Sequence, residues 1–212
     1  MLRLFLIILV DFILRTLLWG ENWNTVNSVS DTAIKPILLE DFEKKTDWIA
    51  SCVYSDGIAG NSVNDVYPVI KFMEGGPEDV KDKPGNQKTI LGIKITCKNM
   101  GEYWIRISPK KPVFIKNFIR SVSFWILSRN YLHKIVPVFL DKNGQSLTEY
   151  FTPEKMNWMD WKQLTYQLSM ETHDGLFFNG FRIFLDPLQT ITDSYLYIDS
   201  ITAEIEEIRG EK

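Results

Sequence analysis

Thiol and imidazole chemistry in this chain would rest on four residues: Cys52, Cys97, His133 and His173. A tetrahedral zinc site takes three or four Cys or His ligands at close spacing, and these four are scattered over more than half of the sequence. A nucleophile activated by histidine would have to recruit one of only two imidazoles. The 27 acidic residues show no local signature of two carboxylates set across a glycosidic bond. Ser55-Asp56-Gly57 and Gly60-Asn61-Ser62 lack the lysine and the strand–helix setting of a phosphate loop. Asp141-Lys142-Asn143-Gly144 lacks the ligand pattern and closing Glu of a calcium loop. It reads as a hairpin turn, with Gly144 free to take positive φ. The chemistry-bearing residues thus point away from an enzyme.

The elements that carry these residues are strands. Leu91, Ile93, Ile95 and Cys97 alternate with Lys94, Thr96 and Lys98, the mark of a half-buried strand. Trp48–Tyr54, Val66–Met73, Tyr103–Ile107, Ser121–Leu127, Lys134–Leu140, Ser146–Phe151, Trp161–Leu168, Gly180–Leu185 and Ser194–Ile208 are further strand candidates. Pro68 places the second of these at an edge or strand start. Trp104 and Arg106 share parity, so one of them is expected to compromise. Val113–Ile119 reads as a strand or a link. Nine or ten short strands, turn-separated and with no long 3.6-residue period after residue 37, predict an all-β sandwich or jelly roll.

Met1–Gly20 is a leader with Arg3 ahead of an apolar run. Asp11 and Arg15 interrupt that run, and each such charge costs roughly 2.5–3.5 kcal/mol at a membrane centre. A cleaved secretory signal, short and helical, is therefore expected rather than a stable transmembrane helix. An uncleaved amphipathic anchor and a misassigned start are the alternatives. Residues 21–37 read as an extended arm, 38–208 as a single β-sandwich domain and 209–212 as a tail. Net charge is −3, with 24 basic residues spread along the chain, so the basic patch of a nucleic-acid binder is not expected. In an exported protein Cys52 and Cys97 could form a disulfide; as separate buried thiols they would pack as small hydrophobes.

Two clusters invite contact. Met156-Asn157-Trp158-Met159-Asp160-Trp161 either closes the end of the sandwich or presents an apolar patch to a partner. Asp41-Phe42-Glu43 near the start and Tyr197-Ile198-Asp199-Ser200-Ile201 near the end are similar to the first and last strands of jelly rolls in carbohydrate-binding modules, the galactose-binding-like class. In such folds Asp41, Glu43 and Asp199 could share a structural calcium, although calcium wants six to eight oxygens. The other reading is solvated acids at strand ends. No other cofactor is expected.

Five segments together resemble a known family. They are Leu91–Ile95 (LGIKI), Tyr103–Pro109 (YWIRISP), Val122–Gly144 (VSFWILSRNYLHKIVPVFLDKNG), Trp161–Leu164 (WKQL) and Tyr197–Ile201 (YIDSI). They resemble the FlaA family, the outer-layer or sheath proteins of spirochaete periplasmic flagella. The resemblance implies export to the periplasm, association with a core of flagellin-like subunits and with other sheath proteins, self-association along the filament, and a part in stiffness, curvature and motility. It implies no catalytic residues. Contacts are expected from the Arg129, Asn130, Tyr131 and His133 corner, from Trp158 and Trp161, and from the N-terminal arm. A secreted carbohydrate-binding module, using Trp104, Trp125 or Trp161 as a platform, is the competing function.

Overall fold

The structure, a computed structural model, describes residues 32–45, 47–54, 66–77, 88–99, 101–168, 175–189 and 193–208. The expected leader, most of the arm, the Ser55–Ser62 loop, His173 and the tail lie outside these residues. Twelve strands are described: β1 (Thr32–Glu40), β2 (Trp48–Tyr54), β3 (Val66–Glu74), β4 (Thr89–Cys97), β5 (Tyr103–Pro109), β6 (Val113–Ile115), β7 (Phe118–Leu127), β8 (Lys134–Leu140), β9 (Glu154–Lys155), β10 (Trp161–Gln167), β11 (Leu176–Phe184) and β12 (Ser194–Ile208). No helix among the described residues is long and apolar enough to cross a membrane.

The strands form two sheets. One runs β10-β7-β12-β4-β3, with β1 also paired to β12; the other runs β2-β5-β11-β8-β9, with β6 also paired to β11. The first and last strands therefore adjoin, and β3, the strand bearing Pro68, is an edge. Among the described residues no strand pairs with β3 beyond Pro68, so its missing N–H deprives no ladder there. Residues 33–207 form one compact unit. The other unit, 1–32 with 208–212, falls almost wholly outside the described residues.

Alternation builds the core. Leu91, Ile93, Ile95 and Cys97 of β4 point inward with Ile105 and Ile107 of β5, Phe124 and Ile126 of β7, and Phe181 and Ile183 of β11. Phe124 and Phe181 meet across the two sheets with ring centroids 4.5 Å apart, a tilted pairing of the kind aromatic rings favour. Two bulges reset the alternation. In β11 the register shifts between Phe178 and Phe181, so both rings reach the core. In β12 it shifts between Asp199 and Thr202, with Ser200 at φ +48°. Ile198 before the shift and Ile201 after it both face inward.

Four expectations are corrected. The segment after Gly144 is not a full hairpin strand: only Ser146 bridges Leu140, and Thr148–Tyr150 forms a 3-10 turn. The Ser146 hydroxyl bonds the Thr148 hydroxyl at 2.7 Å, and such side-chain bonds compete with a ladder. Residues 32–37 of the expected arm belong to β1, whose Ile37 and Leu39 pack against the core. β11 begins at Leu176, ahead of the expected Gly180, while Val113–Ile119, read as a strand or a link, holds β6, a link and the start of β7. Trp104 and Arg106 do not compete for the core, because Tyr103, Ile105 and Ile107 fill it and both partners face outward.

Tyr166 of β10 also spans the sandwich: its hydroxyl donates to the Ile135 carbonyl of β8 and accepts the Glu154 N–H at 3.3 Å. Tyr166→Phe leaves the buried Ile135 carbonyl and the Glu154 N–H without this partner, and urea denaturation is expected to show a loss of about 1–2 kcal/mol. An unchanged midpoint would mean that the two groups find other partners.

Candidate functional site

The corner after β7 is shaped by backbone conformation. Arg129 and Asn130 take φ of +53° and +60°, two successive left-handed residues that reverse the chain. Asn tolerates this region better than most residues, while Arg does not, so the corner is held by outside contacts. Those contacts come from the MNWMDW segment. The Trp158 carbonyl accepts the Asn130 N–H at 2.6 Å and the Ser128 hydroxyl at 2.7 Å. The Trp158 indole N–H in turn donates to the Ile126 carbonyl at 3.4 Å. Two candidate contact segments that lie thirty residues apart are thus one unit. Asn130 is exposed, Arg129 and Tyr131 are half-buried, and the Tyr131 hydroxyl donates to the Asp193 carbonyl at 3.2 Å.

His133 is corrected as a contact residue. It is 1% exposed. Its Nδ1 accepts the Asp186 N–H at 2.9 Å, which leaves Nε2 to carry the proton and face the Ser194 hydroxyl at 2.9 Å. Burial pushes its pKa down to about 4, against a smaller upward pull from Asp186. A neutral, doubly bonded imidazole braces the corner from inside, and Tyr131 stacks on it at 5.8 Å.

Within MNWMDW, Met156 is fully buried while Met159 is 62% exposed. Trp158 packs against the main core, with the Lys162 ammonium 4.4 Å from its ring centroid. The segment therefore closes the sandwich and leaves one apolar side chain outside. Trp161 joins a second, smaller cluster with Ile90, Leu127, Tyr197 and Met73. Register places that cluster on the outer face of the first sheet: Trp161 lies opposite Leu127, and Leu127 opposite Tyr197. Trp125, opposite Gln163 and Asp199, lies on the same face. The Arg129 guanidinium sits 5.4 Å from the Tyr197 ring centroid, which ties the corner to this face.

The remaining candidates are not gathered into a centre. Glu43 accepts the backbone N–H groups of Lys88 and Thr89, and Asp41 accepts the Glu43 N–H at 3.1 Å. Asp41 organises the turn between β1 and β2, where Glu40 also accepts the Phe42 N–H at 2.8 Å and the Trp48 indole at 3.2 Å, while Glu43 ties that turn to the start of β4. Asp199 is fully buried within β12. Among the described residues no group of three or more His, Cys, Asp or Glu is placed to hold a metal. Cys52 of β2 and Cys97 of β4 lie on opposite sheets. Burial, with smaller contributions from Cys52 and Asp193, pushes the Cys97 thiol up to about 11. A cleft of about 470 Å³ follows the free edge of β10 and holds a single carboxylate, Glu154, which pairs with Lys162 at 3.3 Å. One acid tied to a lysine does not make the acid pair that glycoside hydrolysis needs.

The side chains that sequence reasoning passed over are Arg106 and Arg182. The signal available was the shared outward parity of Trp104 and Arg106; Arg182 gave none.

No family model matches the chain. A flagellar filament outer layer-like protein of Brachyspira hyodysenteriae is 30% identical over 195 residues, which span 87% of this chain and 84% of that protein. Among solved structures, a carbohydrate-binding module of the β-sandwich superfamily aligns with TM-score 0.52 at 13% identity, over 77% of this chain and 60% of its own length. This chain thus spans about 60% of that structure, and at such identity the likeness is one of fold. A family 11 carbohydrate-binding module of Clostridium thermocellum aligns with TM-score 0.48 at 13% identity, over 85% of this chain and 99% of its own. With likeness to a filament-layer protein running through nearly the whole of both sequences, the chain belongs to the family of flagellar filament outer layer-like proteins.

Proposed function

We propose that this chain is a non-catalytic structural subunit of the periplasmic flagellar filament, coating a core of flagellin-like subunits and influencing filament stiffness, curvature and motility. The near-full-length likeness to a filament outer layer-like protein carries this reading. The physical properties accord with it. A sandwich closed by the Trp158 segment gives a rigid body. A net charge of −3 is modest, so neighbouring copies repel little, and side-by-side heterologous contacts build open helical arrays. Asn130, Met159 and the half-buried Arg129, Tyr131, Trp158 and Trp161 are the contact residues in this reading. The leader would deliver the chain to the periplasm.

Flagella purified from the source cell and analysed by mass spectrometry test the proposal. The chain is expected at near-stoichiometric amounts in the filament fraction, with its N-terminus near Glu21. A chain found in the soluble periplasm and missing from filaments would sink the coat reading.

A second reading, glycan binding, draws on the outer face of the first sheet, where Trp125, Trp161 and Tyr197 lie on neighbouring strands. Aromatic faces beside polar groups suit sugar rings. A glycan array probed with the purified chain decides it: specific binding lost in Trp125→Ala supports this second role, and a blank array removes it.

A further inference from the structure

The outer face of the second sheet carries two cations that, among the described residues, form no ion pair with a carboxylate. In β5, burial of Tyr103, Ile105 and Ile107 turns Trp104 and Arg106 outward. In β11, burial of Phe181 and Ile183 does the same for Arg182 and Phe184. Register sets Arg182 directly opposite Arg106, and Phe184 opposite Trp104. Ser51 of β2 continues the row beyond Arg106, and Val136 of β8 continues it beyond Arg182. The row therefore reads Ser, Arg, Arg, Val across four strands, with no acid in it.

Like charges directly opposite in a sheet are unfavourable. Both Nε atoms are buried, and neither has a hydrogen-bond partner. Burial, then the neighbouring Arg106 charge, pushes Arg182 below the ordinary arginine range, and the Glu149 charge offsets this only in part. Half-buried guanidiniums without a paired carboxylate cost the isolated fold stability, which the contact of Arg182 with the Trp104 ring offsets only in part. Like charges kept side by side, half-buried and without an ion pair, suit a contact made with another molecule.

We propose that the Arg106–Arg182 face docks an acidic segment of a neighbouring filament protein, the two guanidiniums taking Asp or Glu carboxylates of the partner. Guanidinium forks pair with carboxylates through two parallel N–H···O bonds. Two forks side by side on adjacent strands match acids spaced along an extended segment. A sugar acid is the lesser fit, because the Arg182 guanidinium lies 4.2 Å from the Trp104 ring centroid. That ring face is already taken and cannot stack on a sugar. Trp104 instead stiffens Arg182 by cation–π contact, so less freedom is lost on docking. The choice of a filament protein as partner rests on the coat reading; the charge recognition does not.

The test uses the purified full chain, with the wild type, Arg106→Gln, Arg182→Gln, the matching Lys variants and, as a control elsewhere on the surface, Lys71→Gln. The probes are poly-L-glutamate, polygalacturonate and a neutral galactan, measured by calorimetric titration at two salt concentrations, with thermal melting of each variant. Poly-L-glutamate is expected to bind the wild type. Either Gln variant should weaken it roughly ten- to hundredfold, with the melting temperature unchanged or raised. The Lys variants should recover only part of the affinity, since an ammonium offers no fork. Equal binding by the wild type and both Gln variants overturns the proposal, as does tighter binding of polygalacturonate than of polyglutamate. A lowered melting temperature in the Gln variants would make the pair structural and overturn it too. Filaments isolated from cells carrying each variant separate this from the coat reading. If the wild type is itself missing from filaments while polyglutamate binding still depends on the pair, the coat reading fails and the carboxylate site stands. If the wild type coats and both Gln variants coat equally, the site fails and the coat reading stands.

Discussion

Gly180→Ala is expected to be among the most damaging single-methyl changes in this protein. Gly180 sits at φ +82°, inside the bulge that lets both Phe178 and Phe181 reach the core. A Cβ there would stand 2.0 Å from the Ile107 carbonyl oxygen and 2.7 Å from the Ser108 Cα. Both neighbours are backbone of the paired strand β5, so no side chain can swing aside. The cost combines a strained left-handed alanine with forced separation of two strands, for a total of about 4 kcal/mol. Urea denaturation should show a large drop in midpoint at nearly constant slope. Alternatively the bulge could shift, and Phe181 would then leave its contacts with Phe124 and Phe178. Near-ultraviolet circular dichroism would report that loss. A variant as stable as the wild type would show that β11 slides past β5 at little cost.

Acidification should destabilise the fold through His133, beginning well above the range in which carboxylates titrate. The folded-state value of about 4 lies below the ordinary 6.5, so the unfolded chain binds the proton more readily. Stability is then fully present above pH 6.5 and is lost as pH falls from 6.5 towards 4. The slope approaches 1.4 kcal/mol per pH unit, and the whole window is worth about 3 kcal/mol. The groups that face the ring set the sign. The Asp186 N–H already donates to Nδ1, so a proton there would break that bond, and the Asp186 carboxylate only partly offsets the burial. Denaturation curves collected at pH 7, 6 and 5 should show this loss in the wild type. In His133→Gln the protein should be weaker at pH 7 yet nearly flat over the same interval. An equal slope in both would place the titration elsewhere.

Much of the architecture could be read directly from residue order. Leu91, Ile93, Ile95 and Cys97 alternate with polar neighbours, and all four are buried. Pro68 marked an edge strand. Asp141–Gly144 forms its turn, with Gly144 at φ +79° and the Asp141 carboxylate accepting the Asn143 and Gln145 N–H groups. These features are local: pleat parity, a missing N–H and a positive φ each act within a few residues. The family likeness was legible as well, because Val122–Gly144 keeps a strand, a corner, a strand and a turn in one unbroken stretch.

The sandwich class, the inward faces of strands such as β4 and the Asp141–Gly144 turn were therefore legible in the sequence alone. Tertiary structure decided what long-range pairing brings together. His133 looked like a surface corner residue until Ser194 and Asp186, both distant along the chain, closed over it. Asp41, Glu43 and Asp199 lay near paired strands on paper, but backbone N–H groups claimed the Glu43 carboxylate. Arg106 and Arg182 became neighbours only through the β5·β11 register. One residue of slip in β11 would have turned Arg182 into the core. Alternation fixes which side of a strand a residue faces; only the assembled sheets fix what stands beside it.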